Sequence, residues 1–190
     1  VATVAPPDTR ERILRATAEL ISQEGVAAVT NRRVASAAEV ALGSLTYHFP
    51  NQIDLLRESL LLFVGEEVER QETIARELRH REFSAEQIAT LVERVINESG
   101  SRVQLLTELE LHLQAARDPA LQDASRRCFE AYERMASAAL KRLGVPDPER
   151  HAGPVVALMY GMGVRRLGTG SEDASGVADA LLALIRGASS

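Results

Sequence analysis

Helix starts are marked in this chain so regularly that little room is left for any other element. Asp8 stands three residues before Glu11, Ser84 before Gln87 and Ser101 before Gln104, while Asp118-Pro119 and Asp147-Pro148 set proline where a first helical residue belongs. A side-chain oxygen just ahead of a helix accepts an N–H that the first turn leaves without a partner, and proline there has no such N–H to strand. Between the marks, apolar residues recur three and four apart, as Ile13, Leu14, Ala18, Leu20 and Ile21 do ahead of Gly25. No segment long enough for a strand alternates with period two. The spacing predicts an all-α chain of about nine helices, with no internal repeat or low-complexity linker.

In order, these are a first helix stopped by Gly25, a short one capped by Thr30 and reaching Ala38, and a third in ALGSLTYHFPN, residues 41–51. Pro50-Asn51 then opens a long fourth helix carrying Ile53, Leu56, Leu60, Val64 and Val68 on one stripe. Helices near 84–98, 101–116, 119–143, 147–168 and 174–187 follow. The expected division is a three-helix head over 8–56 and a helical body over 57–190.

Bulk properties exclude several function classes. The longest strongly apolar run, Leu60 to Val64, is too short to span a bilayer, and VATVAPP has neither the basic flank nor the apolar stretch of a signal peptide, so no membrane partner and a cytoplasmic location are expected. Cys128 is the single cysteine and can form no internal disulfide or CxxC pair; a small, partly buried helix residue is expected there. The net charge of −5 does not advertise nucleic-acid binding. Between Asp8 and Glu58 the basic residues do not outnumber the acidic ones, so any such function must rest on local geometry.

That geometry is present. Two short helices joined by a tight turn and braced by a longer one form the skeleton of a helix-turn-helix, whose second short helix enters the major groove. At about 100° per residue, turning Leu45 inward brings Phe49 to the same side and puts Gly43 and Tyr47 opposite. Ser44 and Thr46 flank that outward face, and His48 lies nearer the buried edge. Gly43 permits close backbone approach, hydroxyls of Ser44, Thr46 and Tyr47 suit phosphate or base edges, and Tyr47 and His48 suit phosphates best. Arg32, in the first turn after Thr30, can pair with a phosphate or a guanine; Arg33 is the weaker candidate.

The segment TRERILRATAELISQEGVAAVTNRRVASAAEVALGSLTYHFPNQIDLL closely resembles the DNA-binding head of TetR-family transcriptional regulators. The likeness covers roughly residues 9–56 and rests on the apolar first helix ending in Gly25, the T-x-R-x-V-A of Thr30 to Ala35, and G-S-L-T-Y-H-F followed by Asn51 and Leu55-Leu56. It implies a homodimer that binds a palindromic operator on double-stranded DNA as a repressor and is released by a small-molecule effector. Matched position by position, Thr30, Arg32, Gly43, Ser44, Thr46, Tyr47 and His48 fall on the family's contact positions. Three residues depart from the pattern: Glu39 stands where a turn glycine is usual, Thr46 replaces a tyrosine, and Gln52 replaces a backbone-reaching lysine.

The body carries no short motif. Helices 119–143 and 147–168 present apolar stripes, the second with small Gly161 and Gly163 that permit close packing. From the residues alone this stripe is as well explained by the domain's own core as by a four-helix bundle between subunits; the resemblance favours the bundle. An effector pocket among the middle helices has Leu105, Leu109, Phe129, Tyr132 and Met159 as apolar lining and Gln104, Glu108 and His112 as polar anchors. Core packing explains any one of those apolar residues at least as well. Glu108 and His112 have the spacing of two metal ligands but no third, so neither metal nor cofactor is expected. GMGVRRLGTG lacks GxGxxG spacing, and no catalytic grouping is legible, which leaves a regulator ahead of an enzyme. The alternative is an all-α interaction module whose three-helix head is structural.

Overall fold

The computed structural model describes residues 8–80, 102–170 and 187. The predicted helix near 84–98, the one near 174–187 short of its last residue, and the capping boxes begun by Ser84 and Ser101 lie outside the described residues. Within them the chain is all-α, with seven α-helices: α1 Thr9–Glu24, α2 Asn31–Ala37, α3 Leu42–His48, α4 Gln52–His80, α5 Arg102–Ala115, α6 Pro119–Arg142 and α7 Pro148–Thr169. A 3₁₀ turn, Val26–Ala28, links α1 to α2. The chain divides into two compact units, one of residues 1–65 and 106–125 and the other of residues 66–105 and 126–190.

In the first unit the local signals operate as the sequence implies. Asp8 Oδ1 accepts from the Glu11 N–H at 2.7 Å and starts α1. Gly25, at φ +82°, ends α1 with its N–H on the Ile21 carbonyl. Thr30 caps α2, and Asp118 Oδ1 accepts from the Ala120 N–H at the start of α6. The helices close on a core of Ile13, Ile21, Val34, Leu45 and Leu55, each within 1% of complete burial. Two further contacts fix the end of α3: the Arg10 guanidinium lies 5.2 Å from the centre of the Phe49 ring and also pairs with Glu58. Gln52, the residue standing for the usual lysine, donates its side-chain amide to the Val29 carbonyl and ties the start of α4 to the loop before α2.

One part of the predicted α4 stripe is corrected. Ile53 is 64% exposed, whereas Leu55, Ser59, Leu60 and Val64 are buried. Leu55 sets the inward phase in the first turn, and Ile53, two residues earlier, falls about 200° from it.

The turn between α2 and α3 passes through Glu39 at φ +54°, a conformation that costs a residue with a Cβ about 1 kcal/mol or more. This is the position read as a glycine position from the pattern. Glu39→Gly should therefore raise stability by up to about 1 kcal/mol, the relief of strain exceeding the entropy lost by glycine on folding. Chemical denaturation checks it, and an unchanged or lower midpoint would contradict the strain.

In the second unit, Leu78 and Ala75 of α4 are buried together with Cys128, Ala131, Met135 and Ala136 of α6 and Ala152, Val155 and Val156 of α7. Arg142 ends α6 by donating to the carbonyls of Leu78 and Arg79, the last turn of α4, at 2.5 and 2.7 Å. Gly163 is a close-approach position: a Cβ there would stand 2.7 Å from Leu105 Cδ2. Gly161 has open space instead, so of the two glycines expected to permit close packing one does so within this chain.

Candidate nucleic-acid interface and a buried polar cluster

Helices α1, α2 and α3 pack against one another, and the packing decides what α3 presents. Leu45 is fully buried and Phe49 is 3% exposed, so both point inward as the periodicity requires. Tyr47 is 82% exposed, although it is the largest side chain on the helix. His48, half-buried beside it, meets the Tyr47 ring edge-on with centroids 5.3 Å apart. Gly43 is exposed, and a Cβ there would meet nothing within 4 Å. Ser44 is half-buried.

Thr46 differs from the expectation for a free hydroxyl. Its Oγ1 lies 3.2 Å from the Leu42 carbonyl and 3.1 Å from that of Gly43, so its proton is used within the helix. On α2, Thr30, Arg32 and Arg33 are all exposed. Their guanidinium groups are in different situations. Arg33 pairs with Glu24, whose hydrogen bond raises the Arg33 pKa and is itself the main cause lowering that of Glu24. Arg32 makes no ion pair among the described residues. Of the basic side chains around α2 and α3, Arg10, Arg33 and Arg57 are each held by a carboxylate, which explains how a head without excess positive charge can still offer a cation at Arg32.

The expected effector residues separate between the two units. Glu108, Leu109 and His112 belong to the first. Glu108 is buried, Leu109 is half-buried, and His112 Nδ1 lies 2.8 Å from Ser125 Oγ, with burial lowering its pKa. No group of three or more His, Cys, Asp or Glu among the described residues could hold a metal ion. Gln104, Leu105, Phe129, Tyr132 and Met159 belong to the second unit.

Two of these converge on a residue that the sequence reading passed over. Glu67, 5% exposed, accepts from Tyr132 Oη at 2.5 Å, Gln71 Nε2 at 2.6 Å and Gln104 Nε2 at 3.1 Å. Arg70 adds a hydrogen bond at 2.8 Å. Tyr132 also belongs to an aromatic group: Tyr160 meets the Tyr132 ring edge-on at 5.9 Å and the Phe129 ring at 5.2 Å. The Gln71 side-chain oxygen Oε1, fully buried, finds no donor among the described residues. A signal was available: Glu67 and Gln71 continue the spacing of Leu60 and Val64 toward Ala75 and Leu78, so two polar residues sit at inward positions. A separate groove of about 880 Å³, lined by charged residues such as Arg79, Glu133 and Lys141, contains none of the expected effector residues.

An exposed face on a short helix, held by a three-helix core and followed by a helical body, defines a helix-turn-helix regulator. Residues 13–58 match the model of bacterial regulatory proteins of the tetR family, and residues 79–187, over half of the chain, match the tetracyclin repressor-like C-terminal domain. The chain belongs to the TetR family of DNA-binding transcriptional regulators, a family of regulators and not of enzymes.

Among known proteins, the HTH-type transcriptional repressor KstR of Mycolicibacterium smegmatis is 42% identical over 66 residues, 35% of this chain and 30% of that one. KstR of Rhodococcus jostii is 45% identical over 56 residues, 30% of this chain and 26% of that one. The chain thus spans under a third of the length of these curated relatives. Over nearly its whole length it is similar to a solved transcriptional regulator from Streptomyces coelicolor A3(2), at 33% identity, 97% and 100% coverage of the two chains and TM-score 0.66. The multidrug binding protein EbrR, solved with imidazole, is 30% identical with 94% and 96% coverage and TM-score 0.65; it has also been solved with ethidium and with proflavin. No helix among the described residues is long and apolar enough to cross a membrane.

Proposed function

We propose that the protein is a dimeric repressor that binds a palindromic operator through α2 and α3 and leaves it when a small molecule occupies the helical body. The DNA-contacting role falls to residues 8–56 and the regulatory and dimerisation roles to 57–190. One observation carries the reading: the core turns Leu45 and Phe49 inward and leaves Tyr47 in solvent, with exposed Arg32 available on the helix packed against α3. Tyr47, His48 and Arg32 position the protein on phosphates, while Gly43, Ser44 and Thr46 border the bases; Arg33, held by Glu24, contributes less. A cytoplasmic location follows from operator binding.

Dimerisation has support in α7, where Val164 is 44% exposed and Leu158, Met159 and Met162 are half-buried. Such a face gains from a second copy, and a twofold protein suits a twofold operator. The repressor names of the KstR relatives support the sign of regulation. For the effector, the buried Glu67 carboxylate bound by Tyr132, whose ring continues into those of Tyr160 and Phe129, suits a planar nitrogen heterocycle that carries positive charge. The ethidium and proflavin bound by EbrR are of that kind. An effector preferring a state with misplaced recognition helices lowers operator affinity by its differential binding energy.

The test is selection of bound duplexes from a random DNA pool, followed by titration of the complex with proflavin. A twofold-symmetric consensus and release at a dye concentration that leaves the protein folded are expected. An asymmetric consensus would contradict the dimeric reading, and failure of any dye to shift operator affinity would remove the effector class.

A further inference from the structure

The described residues leave six large hydrophobic side chains exposed, and three of them, Leu42, Tyr47 and Ile53, fall within twelve residues of one another around α3. Tyr47 has a hydroxyl to offer a phosphate; Leu42 has no polar atom. On the helical wheel Leu42 lies about 60° from Leu45, close enough to be drawn inward, yet it is 43% exposed. A leucine at the start of a helix that faces DNA is unsuited to hydrogen-bonding readout.

Thr46, one turn later on the same flank, has a matching character. With its hydroxyl turned back onto the Leu42 and Gly43 carbonyls, the branch left pointing away from them is the Cγ2 methyl. Gly43 adds no side chain, and Ala41, exposed at the N-cap, adds another methyl. From Ala41 to Thr46 this flank offers carbon where major-groove readers usually carry amides or guanidinium groups. In the major groove the complementary carbon is the C5-methyl of thymine, which distinguishes A·T from the other pairs by apolar contact alone.

We propose that Leu42 and the Thr46 methyl form an apolar reader of thymine methyl groups, which fixes A·T pairs in each half-site under the N-terminal half of α3. This rests on the reading of α3 as the recognition helix and adds what it recognises. The thymine methyls replace water against Leu42, and no new hydrogen bond is needed. Specificity arises because cytosine at the same place presents an amino donor to Leu42 and the Thr46 methyl, neither of which can accept it.

The test uses the full-length protein and the duplex obtained by selection. Each thymine in turn is replaced by deoxyuridine, which keeps every hydrogen-bonding atom and lacks the methyl group. At one or two thymines per half-site the wild-type protein should lose about three- to tenfold in affinity, the effect of one desolvated methyl. In Leu42→Ala, which keeps the Thr46 methyl, replacement of the thymine that faces Leu42 should lose its effect, and circular dichroism should confirm an intact fold because Leu42, 43% exposed, is not part of the core. Placing 5-methylcytosine where cytosine had abolished binding should restore part of the affinity. If uridine is neutral at every position while Tyr47→Ala still weakens binding, the methyl reader is overturned and the recognition helix stands. If Tyr47→Ala, Arg32→Ala and uridine are all without effect, the assignment of α3 is overturned and the reader with it.

Discussion

Arg32→Ala combined with Tyr47→Ala should lower operator affinity by a hundredfold or more without measurable loss of stability. Both side chains are exposed, with Tyr47 at 82%, and the ring contact that Tyr47 makes is with its neighbour His48. Removing them takes nothing from the core of Ile13, Leu45 and Leu55. On the proposed reading each substitution removes a hydrogen bond to a charged phosphate, worth about 1.5 to 3 kcal/mol, and a dimer would lose it twice. At 1.4 kcal/mol per tenfold change, even heavily screened contacts give two decades. Salt dependence separates the two parts: Arg32→Ala should reduce the log-log slope by about 2 in a dimer, whereas Tyr47→Ala leaves it nearly unchanged. A structural role for these residues predicts the reverse, a lowered melting temperature with affinity retained. Leu45→Ala is the contrasting control, since emptying that fully buried position costs about 2 to 5 kcal/mol and abolishes binding through the fold.

The helix-turn-helix was legible because its determinants are local. Leu45 and Phe49 are four residues apart, Asp8 caps a residue three away, and the strained turn at Glu39 stands out against the glycine of the family pattern. Local period also misled. It placed Ile53 on the apolar stripe, because an apolar residue near a helix start looks periodic until a partner such as Leu55 sets the phase. Thr46 was read as a free hydroxyl, since nothing in the sequence tells whether a helical threonine turns its oxygen outward or back to the preceding turn.

The body was less legible for a different reason. Gln104 and Tyr132 were recognised as polar and aromatic groups in plausible places, but the group that joins them lies 37 and 65 residues away on α4. Pairing at such separation leaves no mark in periodicity. What remained visible was indirect: a glutamate and a glutamine at inward positions of an apolar stripe, which are stable there when buried partners satisfy them.

That dependence makes Glu67 a sensitive polar position among the described residues of the second unit. Glu67→Ala should destabilise the protein by about 3 kcal/mol, because the Gln71 amide and the Tyr132 hydroxyl are each buried and lose the acceptor at 2.6 and 2.5 Å. The half-exposed Arg70 adds little, since water can replace its partner. Tyr132→Phe, which removes one donor and keeps the ring, should cost about 1 kcal/mol. The two substitutions should not add: once Glu67 is gone, removing the hydroxyl eliminates a stranded donor, so the double variant should be more stable than the sum of the single changes requires. Equilibrium unfolding of the four proteins measures this coupling, and strict additivity would mean that the 2.5 Å contact contributes nothing. Proflavin titration of the folded variants gives an independent result. A carboxylate that only holds helices together affects dye affinity through stability alone, equally for both variants. A carboxylate that also meets the effector makes Glu67→Gln, which keeps the side-chain shape and loses the charge, weaken the dye much more than Tyr132→Phe does, at matched stability.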